Sequence, residues 1–238
     1  MTLSFEIVDD PARACAALMV GAVIGGGEIV LTGGSTPRAA YGHFVEAVGT
    51  VGIDLSRTRM WMGDERAVGP EDDRANYRMI RESLLDPLGD NQPAMHRIKG
   101  ELGDAEGAED YDSILRGAGP PAFDLLLLGI GPDGHCASLF PNQASLAERS
   151  RLVVGVPEAG LEPFVPRISC TLPTLALARH VVFLATGASK ADAIARAFGP
   201  GTEPDPAVPA SLLVPEAKRI TVLMDQAAAA DLPGGDHR

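Results

Sequence analysis

The stretch DLLLLGIGPDGHCASLF, Asp124 to Phe140, runs four leucines into three glycines, an aspartate and a histidine. An apolar run without alternation, bounded by turn residues, reads as a strand covered on both faces, the kind found inside a parallel sheet. Open parallel sheets bind ligands beyond the carboxyl ends of their strands. The stretch that argues for a parallel α/β fold therefore also puts Asp133 and His135 where a ligand would sit. A strand followed by an ordinary turn is the competing reading, and the rest of the chain must choose.

Outward from this strand, short β-like runs alternate with helical patterns. SFEIVD reads as a strand, followed by a helix opening at Pro11. EIVLTGGS reads as a strand, and TPRAAYGHFVEAVG as a helix closed by Gly49. TRMWMGDE is a further strand, DDRANYRMIRESLLDP a helix stopped by Pro87, and a charged surface helix falls within 100–117. RLVVGVP, RISCTL, HVVFLATG and RITVLMD are strand-like, with helical ASKADAIARAFG between the last two. The alternation implies βαβ units and a Rossmann-like three-layer α/β sandwich with a mainly parallel sheet. Residues 1–238 read as a single domain. The proline-rich 199–211 reads as an ordered excursion near the site.

Composition removes whole classes of function. A formal charge of −12 argues against non-specific binding to nucleic acid or anionic membrane. It does not oppose a small anionic substrate, which a few placed cations and amides can hold. The opening residues show no secretory signal and no apolar run is long enough to span a bilayer, so a cytoplasmic location is expected. Cys15, Cys136 and Cys170 form no C-x-x-C pair, and His43, His96, His180 and His237 show no metal-ligand spacing. No metal is expected.

Four strand ends carry unusual residues. IVLTGGSTP ends in Gly33, Gly34, Ser35 and Thr36 before a helix, where glycines let exposed N–H groups approach an anion. A tight turn with a Ser/Thr cap is the alternative. VFLATGASK puts Lys190 in a first helical turn, where a cation opposes the helix dipole unless an anion is bound; a solvated lysine is the alternative. RMWMGDER ends in Asp64, Glu65 and Arg66, and extended geometry gives Asp64 and Arg66 one face. A surface charge cluster would look the same. GPDGH carries a histidine whose ordinary pKa, ~6.5, suits proton transfer near neutrality. Asp133 or Asp64 would orient it. A Cys136–His135 nucleophile is disfavoured because sequence neighbours point apart.

LTGGSTP, WMGDERAVGPEDDRANYRMIRESLL, DLLLLGIGPDGHCASLFP and RISCTLPTLALARHVVFLATGASKADAI together resemble the motifs of the 6-phosphogluconolactonases, in their order and over most of the chain. The wider superfamily includes the glucosamine-6-phosphate isomerases/deaminases. The resemblance implies hydrolysis of 6-phospho-D-glucono-1,5-lactone to 6-phosphogluconate in the oxidative pentose phosphate pathway, without metal or cofactor. It implies a functional link to the neighbouring dehydrogenases of that pathway. By the same resemblance His135 is the base, with Asp133 beside it. Arg66 and Lys190 contact the substrate phosphate with the Gly33–Thr36 loop, and Arg167 is an additional contact. The deaminases resemble one another in carrying a glutamate where this chain has Phe140. A deaminating isomerase needs that further acid/base group. A non-catalytic sugar-phosphate sensor would keep the phosphate loop, but the DNA-binding extension typical of such sensors has no room before SFEIVD.

Overall fold

A computed structural model describes residues 2–119 and 122–232. Leu125–Leu128 (β6) is a strand whose four side chains are all buried, whichever way they point. Val181–Ala185 (β9) is buried in the same way, so both faces of the sheet are covered. Each leucine so buried contributes roughly 1.5–3 kcal/mol relative to exposure. With Thr2–Ile7 (β1), Glu28–Leu31 (β2), Arg59–Met62 (β3), Ala94–His96 (β5) and Arg219–Met224 (β10), these strands make one seven-stranded sheet. Its order is β1-β10-β9-β6-β2-β3-β5, and every pairing in it is parallel.

The first helix shows how local signals set an element. Pro11–Val23 (α1) starts where Asp10 accepts a hydrogen bond from the Arg13 N–H and Pro11 supplies a preset φ. Ala12, Cys15, Ala16, Met19 and Val23 recur at helical spacing and are buried. The helix packs against Ser35–Val51 (α2) and several strands of the sheet. The remaining helices are Asn76–Ile80 (α3), Asp86–Leu88 (α4), Asp104–Gly117 (α5), Leu172–Ala176 (α6) and Ala191–Phe198 (α7).

Three details differ from the sequence reading. Gly49 lies inside α2, which ends at Gly52, whose φ of 75° is the left-handed geometry that closes a helix. Pro87 does not stop its helix. The backbone stays helical from a π-helical turn over Arg81–Leu85 through Pro87 in α4, and Gly89 ends the element. Finally, GDE does not continue β3. Asp64–Arg66 (β4) leaves the large sheet after Gly63 and joins Arg167–Cys170 (β8) and Val153–Val156 (β7) in a small antiparallel sheet of order β4-β8-β7. His237 lies outside the described residues. Among the described residues no helix is long and apolar enough to cross a membrane.

Candidate active site

The chain leaves β2 toward β3 and β5, and leaves β6 toward β9 and β10. The sheet therefore reverses direction between β2 and β6, and a crevice opens at the carboxyl ends of strands there. A cavity of about 430 Å³ occupies this place. All four strand-end motifs reach it: Gly33–Thr36 after β2, Asp64 and Arg66 after β3, Gly131, Pro132 and His135 after β6, and Thr186, Ser189 and Lys190 after β9, with Asp133 behind the imidazole rather than on the cavity wall.

The turn after β6 is shaped around one imidazole. Asp133 Oδ1 lies 2.6 Å from His135 Nδ1 and also accepts the His135 backbone N–H at 3.1 Å. The ring's Nδ1 is thus engaged with Asp133, leaving Nε2 for other work. Burial pushes the Asp133 carboxyl up, but the hydrogen bond and charge of His135 outweigh it and hold Asp133 below its usual range. Gly131 is required here. A Cβ on it would stand 2.0 Å from His135 Nδ1. Phe140, fully buried, places its ring centroid 4.8 Å from that of His135. The 199–211 excursion supports the turn from outside, Ala210 N–H donating to the Gly134 carbonyl at 3.0 Å.

The opposite wall suits an anion. Ser35 and Thr36 do not cap α2: its N-cap is Gly34, with no side-chain hydrogen bond to the first turn. Gly187 caps the turn leading into α7; its own N–H donates to the Asp225 carboxylate at 3.0 Å, and it offers no side-chain cap to the amides that follow. Thr36 Oγ1 instead meets Thr186 Oγ1 at 2.7 Å, tying the two glycine turns together. Lys190 lines the cavity half-buried; desolvation lowers its pKa, while the Asp133 carboxylate acts in the other direction. Arg66 donates from Nη1 to the Arg74 carbonyl at 2.5 Å, and its buried Nε has no protein partner. Uncapped amides, an ammonium and a guanidinium with an unpartnered Nε are groups that can together serve as an anion cradle.

Asp64 and Arg66 do share a face. Glu65 turns the other way and is buried, its carboxylate accepting the N–H groups of Arg66, Asn76 and Tyr77, each at 2.7 Å. Burial nevertheless pushes Glu65 up to about 7. Asp64 does not hydrogen-bond His135; its carboxylate accepts from Ser138 Oγ at 2.7 Å and faces Asn76 Nδ2 at 3.4 Å. The carboxylate that touches the imidazole is Asp133. Arg167 borders the cavity but spends Nε on the Val165 carbonyl and Nη2 on those of Leu161 and Pro163. It chiefly holds a neighbouring loop and lies 5.8 Å over the Phe140 ring.

Asn76 and Thr186 line the cavity and Ser138 bonds Asp64 from behind it; the motifs did not single out any of the three. A Cβ at Gly33 would meet Asn76 Oδ1 at 1.9 Å, so the amide fills the space glycine leaves. Among the described residues no group of three or more His, Cys, Asp or Glu side chains could hold a metal ion.

The family described as glucosamine-6-phosphate isomerases/6-phosphogluconolactonase matches residues 6–222. A 6-phosphogluconolactonase of Synechocystis sp. is 35% identical over 232 residues, covering 93% of each chain. The structure of a 6-phosphogluconolactonase from Trypanosoma cruzi superposes with a TM-score of 0.83 at 25% identity, covering 98% of both chains. A monomeric glucosamine-6-phosphate deaminase superposes almost as well, with a TM-score of 0.82 over 97% of this chain and all of its own, at 19% identity. That likeness is one of fold.

Proposed function

This chain belongs to the glucosamine-6-phosphate isomerase/6-phosphogluconolactonase family, and within it we propose that it hydrolyses 6-phospho-D-glucono-1,5-lactone to 6-phospho-D-gluconate. One observation carries the choice. A histidine paired through Nδ1 with Asp133 faces an anion cradle across one cavity, and its aromatic neighbour is Phe140, which cannot transfer a proton. Lactone hydrolysis needs one base, a stabilised oxyanion and protonation of one leaving oxygen. Deaminating isomerisation needs further acid/base groups. The Synechocystis and T. cruzi relatives, both 6-phosphogluconolactonases, agree with the first chemistry.

In this mechanism the 6-phosphate lies against Arg66, Lys190 and the first-turn amides of Gly33–Thr36. The distal lactone carbonyl then faces His135. Neutral His135 takes a proton through Nε2 from a water, which attacks C1. Asp133 holds the ring and stabilises the imidazolium that forms. The tetrahedral intermediate collapses, the C1–ring-oxygen bond breaks, and His135 returns its proton to the departing oxygen. The free acid loses its own proton to solvent. The reaction links the chain to the dehydrogenases on either side of it in the oxidative pentose phosphate pathway. Three buried thiols without a disulfide suit a reducing compartment, and we place the protein in the cytoplasm as one domain.

The test is a coupled assay on freshly generated lactone, corrected for spontaneous hydrolysis, run beside ammonia release from glucosamine-6-phosphate. Acid release without ammonia is expected. Robust ammonia release from the unmodified protein would overturn the reading.

A further inference from the structure

The turn that follows the base is strained and docked. Ala137 has a φ of 48°, a left-handed geometry rarely adopted by residues with a Cβ. It lies in a tight turn closed by the Leu139 N–H on the Cys136 carbonyl at 3.0 Å. Ser138, wholly buried, uses both of its donors to moor this turn to the small sheet. Its hydroxyl donates to Asp64 Oδ2 at 2.7 Å and its backbone N–H to Ser169 Oγ at 3.3 Å. Asp64 and Ser169 are directly opposite each other in the β4–β8 pairing. One cross-strand pair therefore accepts both hydrogen bonds that Ser138 donates.

The mooring continues to the anion cradle. The Asn76 amide Nδ2 donates to the Asp64 carbonyl at 3.1 Å and faces Asp64 Oδ1 at 3.4 Å. The other end of that amide packs on Gly33 so closely that no Cβ fits. Ser138, Asp64 and Asn76 thus form a buried chain from the base-bearing turn to the phosphate loop, and all three are nearly or wholly inaccessible.

We infer that Ser138 is a positioning residue: through Asp64 it sets where His135 stands relative to the phosphate cradle, and Asp64 acts through Ser138 and Asn76 rather than by exchanging protons with substrate. The inference rests on lactone hydrolysis as the reaction. Displacing a reacting group by about 1 Å is enough to cost on the order of 100-fold in rate. Loss of the Ser138 hydroxyl frees the strained turn while leaving Arg66, Lys190 and the loop amides in place. The rate should suffer and phosphate binding should not.

The experiment measures kcat and KM on fresh lactone, and the inhibition constant of 6-phosphogluconate, for wild type, Ser138→Ala and Asp64→Asn. Wild-type activity is read first, so failure of the reaction assignment is separate from failure of the positioning role. For Ser138→Ala, kcat should fall about 10- to 100-fold while the inhibition constant stays within about threefold. Asp64→Asn keeps an oxygen for the Ser138 hydroxyl but turns its NH2 toward the Asn76 amide, so its kcat should fall no further than that of Ser138→Ala, about 10- to 100-fold. A Ser138→Ala enzyme within about twofold of wild-type kcat overturns the inference, as does an equal loss in kcat and product affinity. Deeper loss in Asp64→Asn also overturns it, because the charge would then be needed directly. If Ser138→Ala cannot be obtained folded, that Asp64→Asn criterion decides alone.

Discussion

The two walls of the cavity face one another but are built on different plans. The wall proposed to hold the anion is distributed: two helix starts, one ammonium and one guanidinium line it, and a threonine pair ties the two starts together. The base wall is concentrated in one turn, where a single imidazole is held by one aspartate and backed by one phenylalanine. A distributed wall degrades by steps when its parts are removed. A concentrated wall fails at once. The large sheet explains most of the first plan, because parallel strands deliver several loops to one edge, while Arg66 arrives on β4 of the small sheet. The second depends on a turn moored to the small sheet.

The largest effect should follow from removing His135, the base in the proposed mechanism. His135→Asn keeps size and polarity but no useful pKa, and kcat should fall ~10²–10⁴-fold. Product binding should persist, as measured by inhibition with 6-phosphogluconate. A variant with near-wild-type kcat would remove His135 from the mechanism. Smaller losses should come from the distributed wall. Arg66→Ala and Lys190→Ala should each weaken phosphate binding by ~1.5–3 kcal/mol, the worth of a charged hydrogen bond. Losses as deep as those of the base variant would show that this wall is not shared.

Phe140→Glu probes the concentrated wall from the side of the sister chemistry. It should release no ammonia from glucosamine-6-phosphate, because the surrounding residues are not arranged to orient that carboxylate. Appearance of deaminase turnover would make position 140 sufficient for the switch. The smallest effect, none, is expected from reagents that touch neither wall. Burial pushes the Cys15, Cys136 and Cys170 thiols up to about 12, so native protein should resist alkylation near neutral pH. Exhaustive chelation should also leave the rate unchanged. Activity restored by zinc or magnesium after chelation would require a metal in the account.

The distributed wall was readable in the sequence because each part sits at the end of a strand that local pattern identifies. The Leu125–Leu128 run announces a buried strand, and glycines before helix starts announce the turns. What holds the concentrated wall was much less readable. Ser138 and Asp64 are 74 positions apart, and no local propensity marks their bond. The small sheet escaped notice for the same reason: β4 has three residues and β8 four, and their pairing is fixed by tertiary contact. Gly49 and Gly52 lie close together near one helix end, and only the left-handed φ of Gly52 identifies which closes it. Arg167 was legible as a cation near the site, but its bonds to the Leu161, Pro163 and Val165 carbonyls depend on how the loop folds back.

The division into two walls is tested most directly by comparing phosphorylated and unphosphorylated gluconolactone across His135→Asn, Arg66→Ala and Lys190→Ala. The measured quantity is kcat/KM on each lactone, corrected for spontaneous hydrolysis. His135→Asn should lose the same factor on both, because the base serves the carbonyl whether or not a phosphate is present. Arg66→Ala and Lys190→Ala should lose most of their effect when the phosphate is absent. Equal losses on the two lactones for the Arg66 and Lys190 variants would contradict the account.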